Sequence, residues 1–425
     1  MDQVSNLLTC LLLGSTAFVA HGASVSIEKT IDIRLGSQTP FPSYFVKQVA
    51  EGEYVSAGFD NGFGSWSVRK FTREGATIWS NTVPLAPGGQ DALTDLLVAS
   101  NRDLLVFTAP RTIRRLSADG QFLETRGPWT TPWGNSQTLV RYQNGYLLGG
   151  MIHLNGSDAV HIIKLDSALN FEWERTHISG SAFSLCDLRA ASGGGYIYCV
   201  ANGSGNGIAQ KINQDGAIGW IIAGRQQMTA TPTRDGGCVL VFWSREQFDG
   251  QTPFFGGDDC IIIKLDATGN RQWTGSFGGI GVETPGLTRP LVETEGGNLL
   301  LVLASHSSGI SGNKNLAGDG LWILRLDSDG TKRNEWILPG TGRDLFRTTE
   351  GFSIVTDDLE GGKIADFTIS RGIRVKARST GIPYNVDISS DLLNWATLVN
   401  GFDGDLELSE RIGLQNKFFR VTEIR

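Results

Sequence analysis

Short apolar stretches broken by glycine turns recur along the chain, and no window carries the 3.6-residue apolar period of an amphipathic helix. Seven stretches read as a first hairpin, in which an alternating strand enters a tight turn and a more continuously apolar strand leaves it. Its turns are Glu51-Gly52-Glu53, Asn101-Arg102-Asp103, Gln143-Asn144-Gly145, Gly194-Gly195-Tyr196, Asp235-Gly236-Gly237, Glu295-Gly296-Gly297 and Glu350-Gly351-Phe352. Glycine takes the positive-φ position of such a turn without steric cost. Six stretches read as a second hairpin of the form Lys-Leu-Asp-x-x-Gly-x-x-x-Trp. They run from Lys70 to Trp79, Arg115 to Leu123, Lys164 to Trp173, Lys211 to Trp220, Lys264 to Trp273 and Arg325 to Trp336. Asp opens this turn through backbone amides, Gly closes it, and the Trp is placed to stack on the neighbouring sheet.

Equivalent positions Leu165, Ile212, Leu265 and Leu326 lie 47, 53 and 61 residues apart. A four-stranded unit at roughly that period is the pattern of a β-propeller blade. The fold expected is therefore all-β, a seven-bladed propeller with six blades as the alternative, followed by a small C-terminal β-sandwich. The seventh unit lacks an outer strand, and the segment 26–33 lacks a partner. The N-terminal strand is expected to complete the last blade and remove its open edge. The domain boundaries expected are 1–23 for a signal peptide, 24–365 for the propeller and 366–425 for the sandwich.

From about Asp366 the pattern changes. Arg374 to Arg378 and Tyr384 to Ile388 alternate, and Ser389-Ser390-Asp391-Leu392-Leu393-Asn394-Trp395 leads toward Phe418-Phe419-Arg420-Val421. The blades resemble the propeller repeats of secreted bacterial proteins, whose units read Asp-Gly-Gly-Tyr and then Lys-Leu-Asp-x-x-Gly-x-x-x-Trp. The tail resembles a C-terminal module of exported planctomycete and verrucomicrobial proteins, marked by Ser-x-Asp-Leu-x-x-Trp and a final Phe-Tyr-Arg-Val; here Phe419 replaces the Tyr. Both resemblances imply export, and neither implies an activity.

Composition narrows the partners. The net charge is −7 and charged residues make up 19% of the chain, which argues against a nucleic-acid surface and leaves neutral or cationic partners. Leu7 to Ala20 is an apolar run ending in small residues, with a cut expected after Gly22 or Ala23, although Met1 to Asn6 carries no Lys or Arg. No later stretch is long enough to span a bilayer. The expected location is secreted or on a bacterial cell surface, as a monomer. Cys186 and Cys199 sit opposite each other on a hairpin, so a disulfide between them is expected as one possibility, with buried free thiols as the other. Cys238 and Cys260 should lie at opposite ends of their strands.

Catalytic signatures are missing: there is no His-Glu-x-x-His, Gly-x-Ser-x-Gly, phosphate-binding loop or Cys-x-x-Cys. Asp327-Ser328-Asp329-Gly330 is turn chemistry rather than a calcium loop. Quinone-dependent dehydrogenases share a similar repeat, but the adjacent cysteine pair of many of them is absent. No metal and no cofactor is expected. The long connections instead gather between hairpins and between blades, and in a propeller both kinds emerge on one face. They carry Phe63, Trp66, Trp129, Trp133, Phe248, Phe254 and Phe255, with Arg245, Asp258, Asp259 and His306 beside them. Aromatics on such a rim suit sugar rings or an extended peptide; alternatively they fold inward and fill the loops. The leading expectation is a non-enzymatic glycan- or protein-binding propeller. The alternatives are a polysaccharide-active hydrolase or lyase with a central pocket, and a cell-surface structural module.

Overall fold

The computed structural model describes residues 45–358 apart from 60–64, 73–75, 85–92, 109–111, 128–132, 155, 179–182, 203, 226, 286–288, 295–296, 339 and 348–351. Beyond that span it describes the strands Thr9–Cys10, Phe18–Ala20, Ala23–Thr39, Gly361–Ala377, Tyr384–Ser389, Ala396–Phe402, Asp405–Arg411 and Phe418–Glu423. Among the described residues every regular element is a strand. The chain divides into two compact units, Leu35–Ala365 and Met1–Arg34 with Asp366–Arg425. In the second unit Tyr384–Ser389 lies between Ala396–Phe402 and Phe418–Glu423, and Asp405–Arg411 pairs with 370–376.

The first unit is a β-propeller with six complete blades, each an antiparallel meander. Blade one is Phe45–Ala50, Glu53–Phe59, Ser65–Thr72 and Thr77–Pro84. Blade two is Leu93–Val98, Leu104–Thr108, Thr112–Leu116 and Phe122–Arg126. Blade three is Trp133–Tyr142, Gly145–Leu154, Ser157–Asp166 and Phe171–Ile178. Blade four is Phe183–Ala190, Tyr196–Asn202, Asn206–Ile212 and Ile218–Arg225. Blade five is Thr229–Pro232, Cys238–Ser244, Asp259–Leu265 and Arg271–Phe277. In blade six, Glu283–Thr284 and Leu291–Glu293 share the partner Leu299–Ser305, followed by Gly320–Leu326 and Lys332–Leu338.

First strands form the inner ring, each touching the first strand of the next blade. After blade six, Thr341–Arg347 touches both Leu291–Glu293 and Phe45–Ala50. It pairs antiparallel with Phe352–Asp358. The second and third strands are almost wholly buried, as in Val239 to Phe242 and Ile261 to Leu265, because each blade is sandwiched between two others. Buried aspartates stitch the inner strands together. Asp95, at a bulge in blade two, accepts the Leu139 amide of blade three at 3.0 Å, and Asp187, at a bulge in blade four, accepts the Ala230 amide of blade five at 2.9 Å.

The repeat motif acts between blades. Trp79, Trp220 and Trp273, all on outer strands, each cover the turn glycine of the following blade. A Cβ added to Gly120, Gly269 or Gly330 would fall 2.7, 2.5 or 2.8 Å from those rings. Trp79 and Trp273 also donate their indole N–H to Ala118 O and Ser328 O of that turn. The glycine is thus required twice, for its positive φ and for the ring that lies on it. The register corrects the sequence alignment in two blades. A bulge before each turn puts the residue four after the glycine opposite the Lys or Arg, so blade two has Glu124 there rather than Leu123, and blade six has Asn334 rather than Trp336. Arg115 makes a 3.3 Å ion pair with Glu124 in place of the Lys–Trp pair. Where blade two has lost its Trp, the turn of blade three has lost its glycine: Leu169 stands there, buried, at φ 65°.

A loop cluster as candidate functional site

Three long connections of blades five and six emerge on one face: 245–258 inside blade five, 278–282 between the blades, and 306–319 inside blade six. They interlock through their own polar groups. Glu283, wholly buried, accepts the Gly279 amide at 2.7 Å and the Ser305 hydroxyl at 2.9 Å. Ser307 Oγ accepts the Gly281 amide at 2.9 Å, and Ser311 Oγ the Ile280 amide at 3.0 Å. Asn313 accepts the Gly278 amide and donates to Ser276 O. Lys314 is fully buried, with its ammonium donating to the Ser307 and Gly318 carbonyls. Asp258 and Val282 form a parallel bridge that holds the first two connections together.

Asp259 sits beneath this cluster with no solvent exposure. One oxygen accepts the Phe255 amide at 2.6 Å; the other has no hydrogen-bond partner among the described residues. Burial pushes its carboxyl up to about 6, aided by the charges of Glu283 and Asp258 and opposed by the Phe255 amide.

Polar groups being used inside, apolar side chains are left at the tips. Ile280 is 75% exposed, Ile310 68% and Phe254 39%. The connections that carry them touch one another. Gly256 approaches the Ile280 backbone, Ile280 donates to Ser311, and a Cβ on Gly312 would lie 2.8 Å from Phe255.

The structure brings together Arg245, Phe254, Phe255, Asp258, Asp259 and His306 of the residues singled out from sequence. Arg245 is solvent-facing, donates to Asp258 Oδ1 at 2.9 Å and lies 5.1 Å from the Trp243 ring centroid. Phe254 and Phe255 cap the first connection, and exposed His306 donates its amide to Val282 O. Phe248 folds inward, edge-to-face with Phe242 at 4.9 Å. Trp66 is not on the rim. It belongs to the strand Ser65–Thr72, where alternation puts it with Val68 in the core under Arg114. Only the backbone of Trp133 is described, paired with Ile152 in blade three; Phe63 and Trp129 lie outside the described residues. Cys186 and Cys199 are free thiols, not a disulfide: the bulge sets Asp187, not Cys186, opposite Cys199, and burial raises the pKa of both. Cys238 and Cys260 lie at opposite strand ends, paired with Leu265 and Trp243.

Sequence reasoning missed Ile280 and Ile310 because it searched for aromatics. The available signal was an isoleucine outside any alternating run and hemmed by glycine, in Gly279-Ile280-Gly281 and Gly309-Ile310-Ser311-Gly312. It also missed the buried anchors Lys314 and Glu283, whose charge reads as surface.

No family model and no curated protein matches this chain. Solved structures similar to it include BamB from Moraxella catarrhalis, at 13% identity and TM-score 0.45, covering 81% of this chain and 100% of that one. The dihydro-heme d1 dehydrogenase NirN in complex with DHE is 12% identical at TM-score 0.45, covering 86% and 76%. BBS1N in complex with ARL6DN is 13% identical at TM-score 0.43, covering 79% and 93%.

Proposed function

We propose that this chain is an exported, non-enzymatic binding propeller that holds a protein partner against the loop face of blades five and six. The observation that carries this is the division of labour in the three connections: the buried Glu283 and the hydroxyls of Ser307 and Ser311 are spent on the backbone of the connection between the blades, while Ile280, Ile310 and Phe254 are offered to solvent. Sugar hydroxyls need free donors and acceptors beside an aromatic face; an apolar protein surface needs a rigid apolar patch. A hydrolase or lyase needs carboxylates that reach substrate, and Asp259 and Glu283 have no exposure. Export rests on the apolar run Leu7 to Ala20.

The propeller in this reading has seven blades. The seventh is built on Thr341–Arg347 and Phe352–Asp358 and completed by the N-terminal strand through residues 26–33. Support comes from the ring contacts of Thr341–Arg347 and from a bulge at Asp344 like those at Asp95 and Asp187. The C-terminal residues form a small β-sandwich that accompanies it.

The test immobilises the parent and an Ile280→Asp, Ile310→Asp variant, and exposes both to extracellular proteins of the source organism and to a polysaccharide array. Proteins retained by the parent and lost by the variant support the reading. Equal retention by both, or retention on polysaccharides alone, overturns it.

A further inference from the structure

The three connections of the loop face meet over Asp259. Its Oδ2 accepts the Phe255 amide of the first connection at 2.6 Å. Its Oδ1 lies against Gly278, where a Cβ would collide with it, and has no hydrogen-bond partner among the described residues. Gly278 opens the second connection and is held by the third: its amide donates to Asn313 Oδ1 at 2.9 Å, and its carbonyl accepts the Asn313 amide at 3.1 Å. Backbones touch at two further points. Gly257 lies against the Gly281 carbonyl and Gly312 against that of Gly278, at φ 63° and 60°, with no room for a Cβ at either. A small displacement at Asp259 therefore passes to all three connections and to the apolar tips they carry.

The charges acting on this carboxyl are of its own sign. Asp258 faces it from the first connection, and Glu283, wholly buried, from the strand after the second. The Cys260 thiol follows it along its own strand and is buried. The cations of the cluster are engaged elsewhere: Arg245 donates to Asp258 Oδ1, and Lys314 and Lys332 donate to carbonyls of the third connection. His306 is exposed to solvent. A buried anionic oxygen with no donor and two carboxylates beside it is costly, and a proton removes that cost.

We propose that Asp259 is a proton-operated latch on the loop face: with Asp259 protonated the three connections lock together beneath Ile280, Ile310 and Phe254, and on loss of the proton they part. The inference rests on the reading of this face as the one that binds a protein, and it means that the partner is held more tightly in mildly acidic than in neutral surroundings. The direction follows from linkage. Burial and the neighbouring carboxylates raise the Asp259 carboxyl to about 6, so the closed arrangement keeps a proton that a solvated Asp259 releases above the usual 3.8. Opening is favoured as pH rises through that interval, and the effect is complete above about 6.

Hydrogen exchange on the full chain tests the latch without any partner. After correction for the intrinsic rate, protection of the Phe255, Gly279, Ile280 and Gly281 amides should fall about 10-fold between about pH 5 and about pH 7.5, while that of Leu299–Ser305 stays constant. Asp259→Asn, which keeps an acceptor for the Phe255 amide, should hold these amides at the acid-side protection throughout. Glu283→Gln removes a neighbouring charge and should move the transition to lower pH. Protection that is independent of pH in the parent, or that changes equally in Asp259→Asn, overturns the proposal. Retention of protein partners by the immobilised parent should weaken over the same interval. Retention that ignores pH while protection follows it overturns the control of binding, whereas no retention at any pH overturns the binding reading and leaves the exchange result standing.

Discussion

Asp259 shows how one side chain can tune a loop. Its carboxyl titrates near 6, above the usual 3.8, because burial and two neighbouring carboxylates penalise the anion. Between those values the folded chain holds more protons than the unfolded one, so stability falls as pH rises. The penalty is fully present above about 6 and disappears as pH drops through the folded value toward the unfolded one. Unfolding in urea should therefore show Asp259→Asn gaining on the parent by on the order of 1–2 kcal/mol at about pH 7.5, and losing that advantage near pH 4. A constant difference across that range would remove Asp259 as the titrating group. Lys314 makes the complementary case. Its buried ammonium donates to the Ser307 and Gly318 carbonyls, so Lys314→Met, similar in volume, should cost about 2–4 kcal/mol and open 306–319 to limited proteolysis. Neither role was legible in the sequence. A lone Lys in a Gly/Asn-rich loop reads as solvated, and adjacent Asp258 and Asp259 read as pointing apart; only the packed connections reveal which charge is enclosed.

At the scale of elements the sequence was far more informative, because the signal repeats. The two hairpin patterns located the strands of blades one, three, four and five, and the Trp was rightly expected on the neighbouring sheet. It erred where a copy had degenerated. Leu123 and Trp336 are apolar and near the expected spacing, but the bulge that sets the register is invisible to a count of residue types. The paired loss of the blade-two Trp and the blade-three Gly indicates that the two positions act as one contact. A double-mutant cycle checks this at blades four and five. Gly269→Ala should cost about 2 kcal/mol, from its φ of 88° and the clash with Trp220, and Trp220→Ala about 3 kcal/mol from lost packing. Together they should cost less than the sum, since the added methyl no longer meets a ring. Strict additivity in chemical denaturation would show that the indole and the turn are not coupled.

The ring as a whole makes a prediction about where damage stays. The inner strands already run in a closed circuit through Thr341–Arg347, which touches its neighbours on both sides. If the strand through residues 26–33 completes a seventh blade, its task is to cover an edge, not to hold the circuit. Removing residues 1–34 should then leave a folded propeller, because blades one to six each keep two neighbours and their buried second and third strands. Hydrogen exchange should rise in Phe352–Asp358 and at 361–365, while Leu104–Thr108 and Leu299–Ser305, deep in blades two and six, keep their protection. The shortened chain should also self-associate more, since the uncovered edge is a strand template. A global loss of protection would mean that the N-terminal strand carries the circuit itself, and an unchanged pattern would mean that it contributes nothing to blade seven. The confinement expected here follows from geometry: a ring loses its closure through its inner strands, and a blade loses only its rim through its outer one.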